Sequence, residues 1–330
     1  MPPTPKIPAP PRDLVAEQRG ERVRLRWSLP MLHTDGTRLR KGQQAEVFRW
    51  FTDNLEDLPE RFAREARAAQ RIPEDVLAGF VAEGVVEFVD RLGPERLAEQ
   101  AGRYAVYGVR ALNRKEQAAG FSNLVALRVY PVPEPIAQLA ARVTERAIEL
   151  RWAAPTRTTS GTPLAAIAGY HIYRRTDAAE NFQFIGTVPT ARYDDADFQF
   201  GEAYHYRVRT LAQFGTDTVE GDNSASVSVT PRDVFPPPTP AGLVALTTPG
   251  RVDLTWDASP AADLAGYFLY RREETEGPYE RLTPAAIPVQ SFSDTNAAAG
   301  KTYYYVVTAV DRDANESALS EPAAATLPPE

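Results

Sequence analysis

The chain has 330 residues, 43% hydrophobic and 25% charged, with a net charge of −7. That acidic balance argues against a nucleic-acid partner, since phosphate backbones need a concentrated positive surface. The absence of cysteine removes catalytic thiols, disulfides and thiolate metal centres.

The first stretch, MPPTPKIPAPP, has no apolar core of the kind a signal peptide needs. Nor does any later run approach the ~18–20 apolar residues of a membrane-spanning helix. The chain is therefore either cytoplasmic or the product of a targeting segment removed upstream. RGE at 19–21 is not an integrin-binding tripeptide. LRW at 25–27 ends in Trp27, and AEVFRW at 45–50 alternates in the manner of a strand.

Residues 52–84 break the β pattern. LPERFAREARAAQR (58–71) is rich in helix formers, and IPEDVLAGFVAEG (72–84) carries Pro73 where a helix begins well. Both are predicted helical. The Arg61, Arg64, Arg67 and Arg71 row, mixed with Glu60 and Glu65, predicts a solvated helix face. PERLAEQAG (94–102) predicts one more helical turn.

YGVRAL (107–112) then opens a pattern that returns as YRVRTL (206–211) and YVVTAV (305–310). Tyr107, Tyr206 and Tyr305 are spaced by 99 residues each. LRW recurs at 150–152 and LTW at 254–256. GYHIYRR (169–175) recurs as GYFLYRR (266–272). A period this long means tandem domains rather than a solenoid. Within each, residues rich in Tyr, Val and Ile alternate with period two, and turn signals such as TTPG (247–250) separate them. Several such short strands predict a β-sandwich.

These residues resemble the fibronectin type III domain. The third unit carries Trp256, Tyr267, Phe292, Asp294, Tyr303, Tyr305, Asn315 and Ser317. The second carries Trp152, Tyr170, Tyr193, Asp195, Tyr204 and Tyr206. The resemblance implies an all-β chain of three tandem fibronectin type III-like, immunoglobulin-like sandwiches. They would span residues 8–131, 134–233 and 237–327, with a helical insert at about 52–84 in the first. It implies core positions for Trp27, Trp152 and Trp256, and tyrosine corners at Tyr204 and Tyr303. In the first unit the corner position falls on Ala105, with Tyr104 one place off. PVPEP (131–135) and FPPPTP (235–240) read as stiff linkers in an extended row.

With three histidines and no catalytic ordering, no catalytic or metal site and no cofactor is expected. His171, Tyr173, His205 and Arg207 fall on the outer face of the second unit, as a cationic-aromatic patch, as a two-His metal site that would still lack the ligands zinc needs, or as an ordinary solvated face. Phe268, Tyr270, Tyr304 and Val306 fall on the outer face of the third, either as a contact surface or as cross-strand pairs that stabilise the sheet. DRDANES (311–317) begins like a calcium loop but lacks its Gly and Glu, and reads as a turn. Together these features predict a non-enzymatic extracytoplasmic array that binds an unidentified protein partner. The alternative is a carbohydrate-binding or accessory module, with Trp50, Phe268 and Tyr270 stacking on sugars. The Pro-rich start also resembles mature bacterial lipoproteins with such repeats, which implies a lipid anchor in the full-length precursor.

Overall fold

The structure is a computed structural model that describes residues 6–39, 43–273 and 275–329. Met1–Pro5 of the Pro-rich start, and the lipid anchor expected ahead of it, lie outside these residues. Two compact units are present, Met1–Thr230 and Pro231–Glu330.

The first unit holds two sandwiches. In the first, β1 (Val15–Arg19), β2 (Arg22–Ser28), β6 (Val85–Arg91) and β5 (Val81–Ala82) form one sheet in the order β1-β2-β6-β5. The facing sheet runs β4 (Arg67–Ile72), β3 (Gln44–Thr52), β7 (Tyr104–Leu112), β8 (Val125–Arg128). Helices α1 (Leu58–Glu65), α2 (Glu74–Leu77) and α3 (Pro94–Glu99) sit between strands.

The second sandwich pairs β13 (Arg192–Asp195), β10 (Ile148–Trp152) and β9 (Leu139–Val143) against a second sheet. That sheet contains β12 (Gln183–Val188), β11 (Ile167–Thr176) and β14 (Tyr204–Phe214). Both β15 (Asp217–Glu220) and β16 (Val227–Val229) pair with β14.

The second unit repeats the plan. β17 (Val244–Thr248), β18 (Arg251–Thr255) and β21 (Ser291–Asp294) face β20 (Glu280–Arg281), β19 (Leu264–Arg272), β22 (Thr302–Asp311) and β23 (Ala323–Thr326).

Period-two alternation decides the packing. On β2, Val23, Leu25 and Trp27 are buried while Arg22 and Arg26 are exposed. Trp27, Trp152 and Trp256 occupy equivalent places in three separate apolar clusters. Truncating any of them to Ala is expected to cost about 3–5 kcal/mol. Trp152 meets Tyr170 edge-on at 5.1 Å, and Trp256 meets Tyr267 at 5.3 Å. Register places Ala45 at the corresponding point of the first sandwich, so Trp27 has no such ring there.

The repeated Gly-Tyr has a steric cause. A Cβ on Gly169 or Gly266 would fall 2.8 Å from the Val188 carbonyl oxygen or 2.7 Å from that of Ile287. Glycine lets the neighbouring backbone close on the strand where its register shifts.

The insert differs from its expectation. Helix α1 stops at Glu65, and Arg67–Ile72 is an edge strand paired antiparallel to β3. Arg67 and Arg71 therefore lie on a strand, not on the helix face of Arg61 and Arg64. The open edge of β3 and burial of Ile72 override the helix preference of this Ala-rich run. The PVPEP segment is not a free spacer either. Val132 is buried, its carbonyl accepts from the Thr159 amide, and the Glu134 amide donates to the Arg157 carbonyl.

Candidate binding surfaces

Each sandwich contains one buried polar triad. The Tyr107, Tyr206 and Tyr305 hydroxyls donate to Asp90, Asp195 and Asp294 at 2.8, 2.8 and 2.9 Å. Arg49, Arg174 and Arg271 donate to the same carboxylates at 2.5, 2.8 and 2.7 Å. Burial, then the adjacent carboxylate, pushes all three phenols above their usual range. These triads tie three strands together inside the domain and offer nothing to a ligand. Their arginines are legible in FRW, YRR and YRR once the carboxylate partner is known.

Tyrosine corners are present where expected. The Gln199 amide donates to the Tyr204 oxygen at 2.9 Å, and the Ala298 amide to that of Tyr303 at 3.2 Å. In the first sandwich the corner is absent: Ala105 is fully buried, and α3 adds Leu97 to the same core. Tyr104 instead carries the Arg128 guanidinium on its ring.

The sandwiches share a core but differ on the outer face of the second sheet. In the first, Phe62 of α1 is buried there, meeting Phe121 edge-on at 5.0 Å, and Phe121 meets Phe48 likewise. A Cβ at Gly108 would fall 2.9 Å from the Phe62 ring, so the missing side chain makes room for the helix. Trp50 lies half-buried beneath the Arg61 guanidinium, not free to stack on a sugar.

In the second sandwich the four residues expected as one patch separate. His171 and Tyr173 contact Glu220 at 2.8 and 2.7 Å, and Arg209 joins them at 2.9 Å. Burial raises the Glu220 carboxyl, but hydrogen bonds from Tyr173 and His171 and the Arg209 charge outweigh it, leaving it below its usual range. Tyr173 is pushed up to about 12 by burial and that carboxylate. His205 lies elsewhere, between Asp177 at 2.5 Å and Ser228 at 2.6 Å. Arg207 stacks on Phe182. The two histidines thus serve different carboxylates and do not form a shared metal pair.

Ser228, His205 and Asp177 form a hydrogen-bonded chain that sequence order did not reveal, because register alone sets Ser228 opposite His205. Asp177 is largely solvated, and the strand amides around Ser228 belong to the β14–β16 ladder rather than to an oxyanion site.

The third sandwich carries an aromatic-cationic layer. The Arg281 guanidinium lies 3.4 Å from the Phe268 centroid, and Arg272 covers Tyr304 and Tyr279. Tyr270 and Thr308 both donate to Glu316, at 2.5 and 2.6 Å. Val306 is only 1% exposed, which corrects its expected place on the solvent surface: it lies beneath this layer, opposite Tyr270.

The DRDANES segment is a turn in which Asp311 accepts from the Asn315 backbone and side-chain amides at 2.8 and 2.9 Å. Folding also gathers Asp233, Asp263 and Asp311, with carboxylate oxygens within 4.8 Å of one another. Burial, opposed by the Phe235 amide and reinforced by Asp311 and Asp263, raises the Asp233 carboxyl. A divalent cation would suit three such oxygens. The sequence hid this group because its members come from three separate segments.

No protein-family model matches the chain. Among curated proteins, it is similar to an amylopullulanase of Thermoanaerobacterium saccharolyticum, 37% identical over 89 residues, which is 27% of this chain and 7% of that protein. An amylopullulanase of Thermoanaerobacter thermohydrosulfuricus is 35% identical over 99 residues, 30% of this chain and 6% of that protein. Contactin-4 of Rattus norvegicus is 30% identical over 149 residues, 43% of this chain and 14% of that protein. The chain thus spans a small fraction of each relative. Among solved structures, the chicken CNTN1 FN1–FN3 domains align over 97% of this chain and 99% of theirs, at 14% identity and TM-score 0.29. An Fn3-like protein of Clostridium thermocellum aligns over 28% of this chain and 96% of its own, at 32% identity and TM-score 0.25.

Proposed function

We propose that this chain, built of fibronectin type III sandwiches, acts outside the cytoplasm as a non-enzymatic interaction protein. On this reading it has three modules, at residues 8–131, 134–233 and 237–327. The outer face of the third sandwich carries the reading. It presents Phe268, Tyr270, Tyr304, Arg272 and Arg281 in one layer. Aromatic and arginine side chains are the residues that supply most binding energy at protein interfaces. The matching face of the first sandwich is already filled by α1. The partner is thus a protein whose surface takes planar aromatic and guanidinium groups.

The test is site-specific photo-crosslinking from position 304 in a cell-envelope fraction. A single defined protein adduct that disappears on Arg272→Glu supports the reading. Absence of any adduct from position 304, with the chain folded, removes it.

A second reading rests on the matching amylopullulanase segments, which cover 6–7% of those proteins. Here the chain is an accessory module that holds an α-glucan. Retardation in gels containing pullulan or amylopectin, lost in Phe268→Ala, would favour it over the protein-partner reading.

A further inference from the structure

The first unit contains a cleft of about 260 Å³ between its two sandwiches, with four arginines among its nine lining residues. One wall is the outer face of the β1–β2–β6 sheet, with Arg19, Arg22, Arg24, Glu87 and Val89. The other is Arg209 with Gly221, Asp222 and Asn223. Four guanidinium groups line it with the carboxylates of Glu87 and Asp222; Arg19, Arg24 and Arg209 are each ion-paired, with Glu17, Glu87 and Glu220, and Arg22 is the lining guanidinium without an ion pair among the described residues.

Three observations point to a use for these guanidinium groups. Register sets Arg19 opposite Arg22, and Arg22 opposite Arg91, so one row across three strands is all arginine. Like charges directly opposite one another destabilise a sheet. Second, the donors are incompletely used. Arg24 holds Glu87, yet its Nε is buried without a hydrogen-bond partner among the described residues. Arg22 makes no ion pair among them. Third, the far wall is preformed. Arg209 is fixed by Glu220 at 2.9 Å and Asn223 at 2.8 Å, and Glu220 is itself held by His171 and Tyr173.

The two walls are also fixed relative to each other. The Gly20 amide donates to the Glu220 carbonyl at 3.1 Å. Gln18 exchanges two hydrogen bonds with the Tyr130 backbone, at 2.7 and 3.1 Å. Tyr130 stacks on Phe214 at 4.7 Å and donates to Asp217 at 2.7 Å. Gly20, at φ +56°, lies so close to Asp222 that a Cβ would fall 2.3 Å from its Oδ1. A rigid cleft of this kind loses little entropy on binding.

We propose that this cleft binds a small oxyanion group, with Arg22 and Arg24 on one side and Arg209 on the other. Guanidinium forks match the oxygens of phosphate, sulfate and carboxylate. At ~30 Å³ per water-sized volume, the space suits one phosphate or one acidic sugar ring and not a folded polypeptide. This site is separate from the third sandwich and stands independently of the protein-partner reading.

The test is calorimetric titration of the full chain at fixed ionic strength, with inorganic phosphate in one arm and glucuronate in the other. One saturable site for either anion is expected; the stronger arm tells a phosphoryl source from a carboxylated sugar. Arg22→Gln should weaken that binding about ten- to a hundredfold, the value of a charge-assisted hydrogen bond. Arg22 is exposed, so folding is unaffected. Arg26→Gln removes the same charge four residues along β2, outside the cleft, and should leave the affinity unchanged. No saturable heat in either arm, or equal weakening by the two substitutions, would overturn the proposal.

Discussion

The Tyr206 hydroxyl donates to the Asp195 carboxylate at 2.8 Å inside the second sandwich, and Arg174 completes the charge balance from the neighbouring strand. The same three residue types meet in the other two sandwiches. A buried ion pair of this kind adds little net stability over an apolar core, but leaving one member unpaired is strongly destabilising.

Removing the carboxylate should therefore cost far more than removing the phenol oxygen. Asp294→Ala strands Arg271 and Tyr305 and is expected to lower stability by about 3–5 kcal/mol. Tyr305→Phe forfeits one hydrogen bond, about 0.5–1.5 kcal/mol. Urea unfolding of both variants checks the ratio; equal costs would contradict this account of the triad.

The phenols also set an alkaline limit. Tyr107, Tyr206 and Tyr305 hold their protons above the value of 10.0 that they adopt when unfolded. The native state therefore binds more protons than the unfolded state above pH 10. Stability from these groups is complete below pH 10 and declines as pH rises beyond it. Absorbance titration near 295 nm should show a set of tyrosines that ionise only as the fold is lost.

Tyr303→Phe should cost about 1 kcal/mol by orphaning the Ala298 amide. Restoring a corner in the first sandwich should not help. Ala105 is fully buried, so Ala105→Tyr overfills a packed core and is expected to lose about 1–3 kcal/mol or more. Thermal unfolding of both variants decides the matter.

Tyr130→Ala should uncouple the first two sandwiches. It deletes the stack on Phe214 and the bond to Asp217 while leaving both main cores intact. Calorimetry should resolve the transition of the Met1–Thr230 unit into two. A single unchanged peak would show that the joint does not couple them.

Asp233→Asn should stabilise the Pro231–Glu330 unit. Burial, with the nearby Asp311 and Asp263, raises the Asp233 carboxyl, so its ionisation disfavours the native state. Its unfavourable contribution appears as pH rises from the ordinary carboxylate range through the elevated native value. The variant's gain in melting temperature should accordingly be larger at pH 7 than at pH 3.

What the sequence determined by itself is the repeated interior. The alternating Tyr and Val residues follow from period-two burial, a local pattern that survives in a one-dimensional string, while the core positions of Trp27, Trp152 and Trp256 and the corners at Tyr204 and Tyr303 are implied by the resemblance of the repeated motifs to fibronectin type III domains. What only the tertiary structure decided is the exterior. Arg67–Ile72 becomes a strand because β3 offers a free edge, whatever its own helix preference. Val306 is buried and Arg207 half-exposed at equivalent positions: the short Val306 lies beneath the aromatic-cationic layer, whereas Arg207 reaches out to stack on Phe182. The arginine cleft and the Asp233, Asp263, Asp311 group join residues far apart in the chain. Such meetings depend on register and on the angle at which whole sandwiches dock, and neither is set by neighbouring residues in sequence.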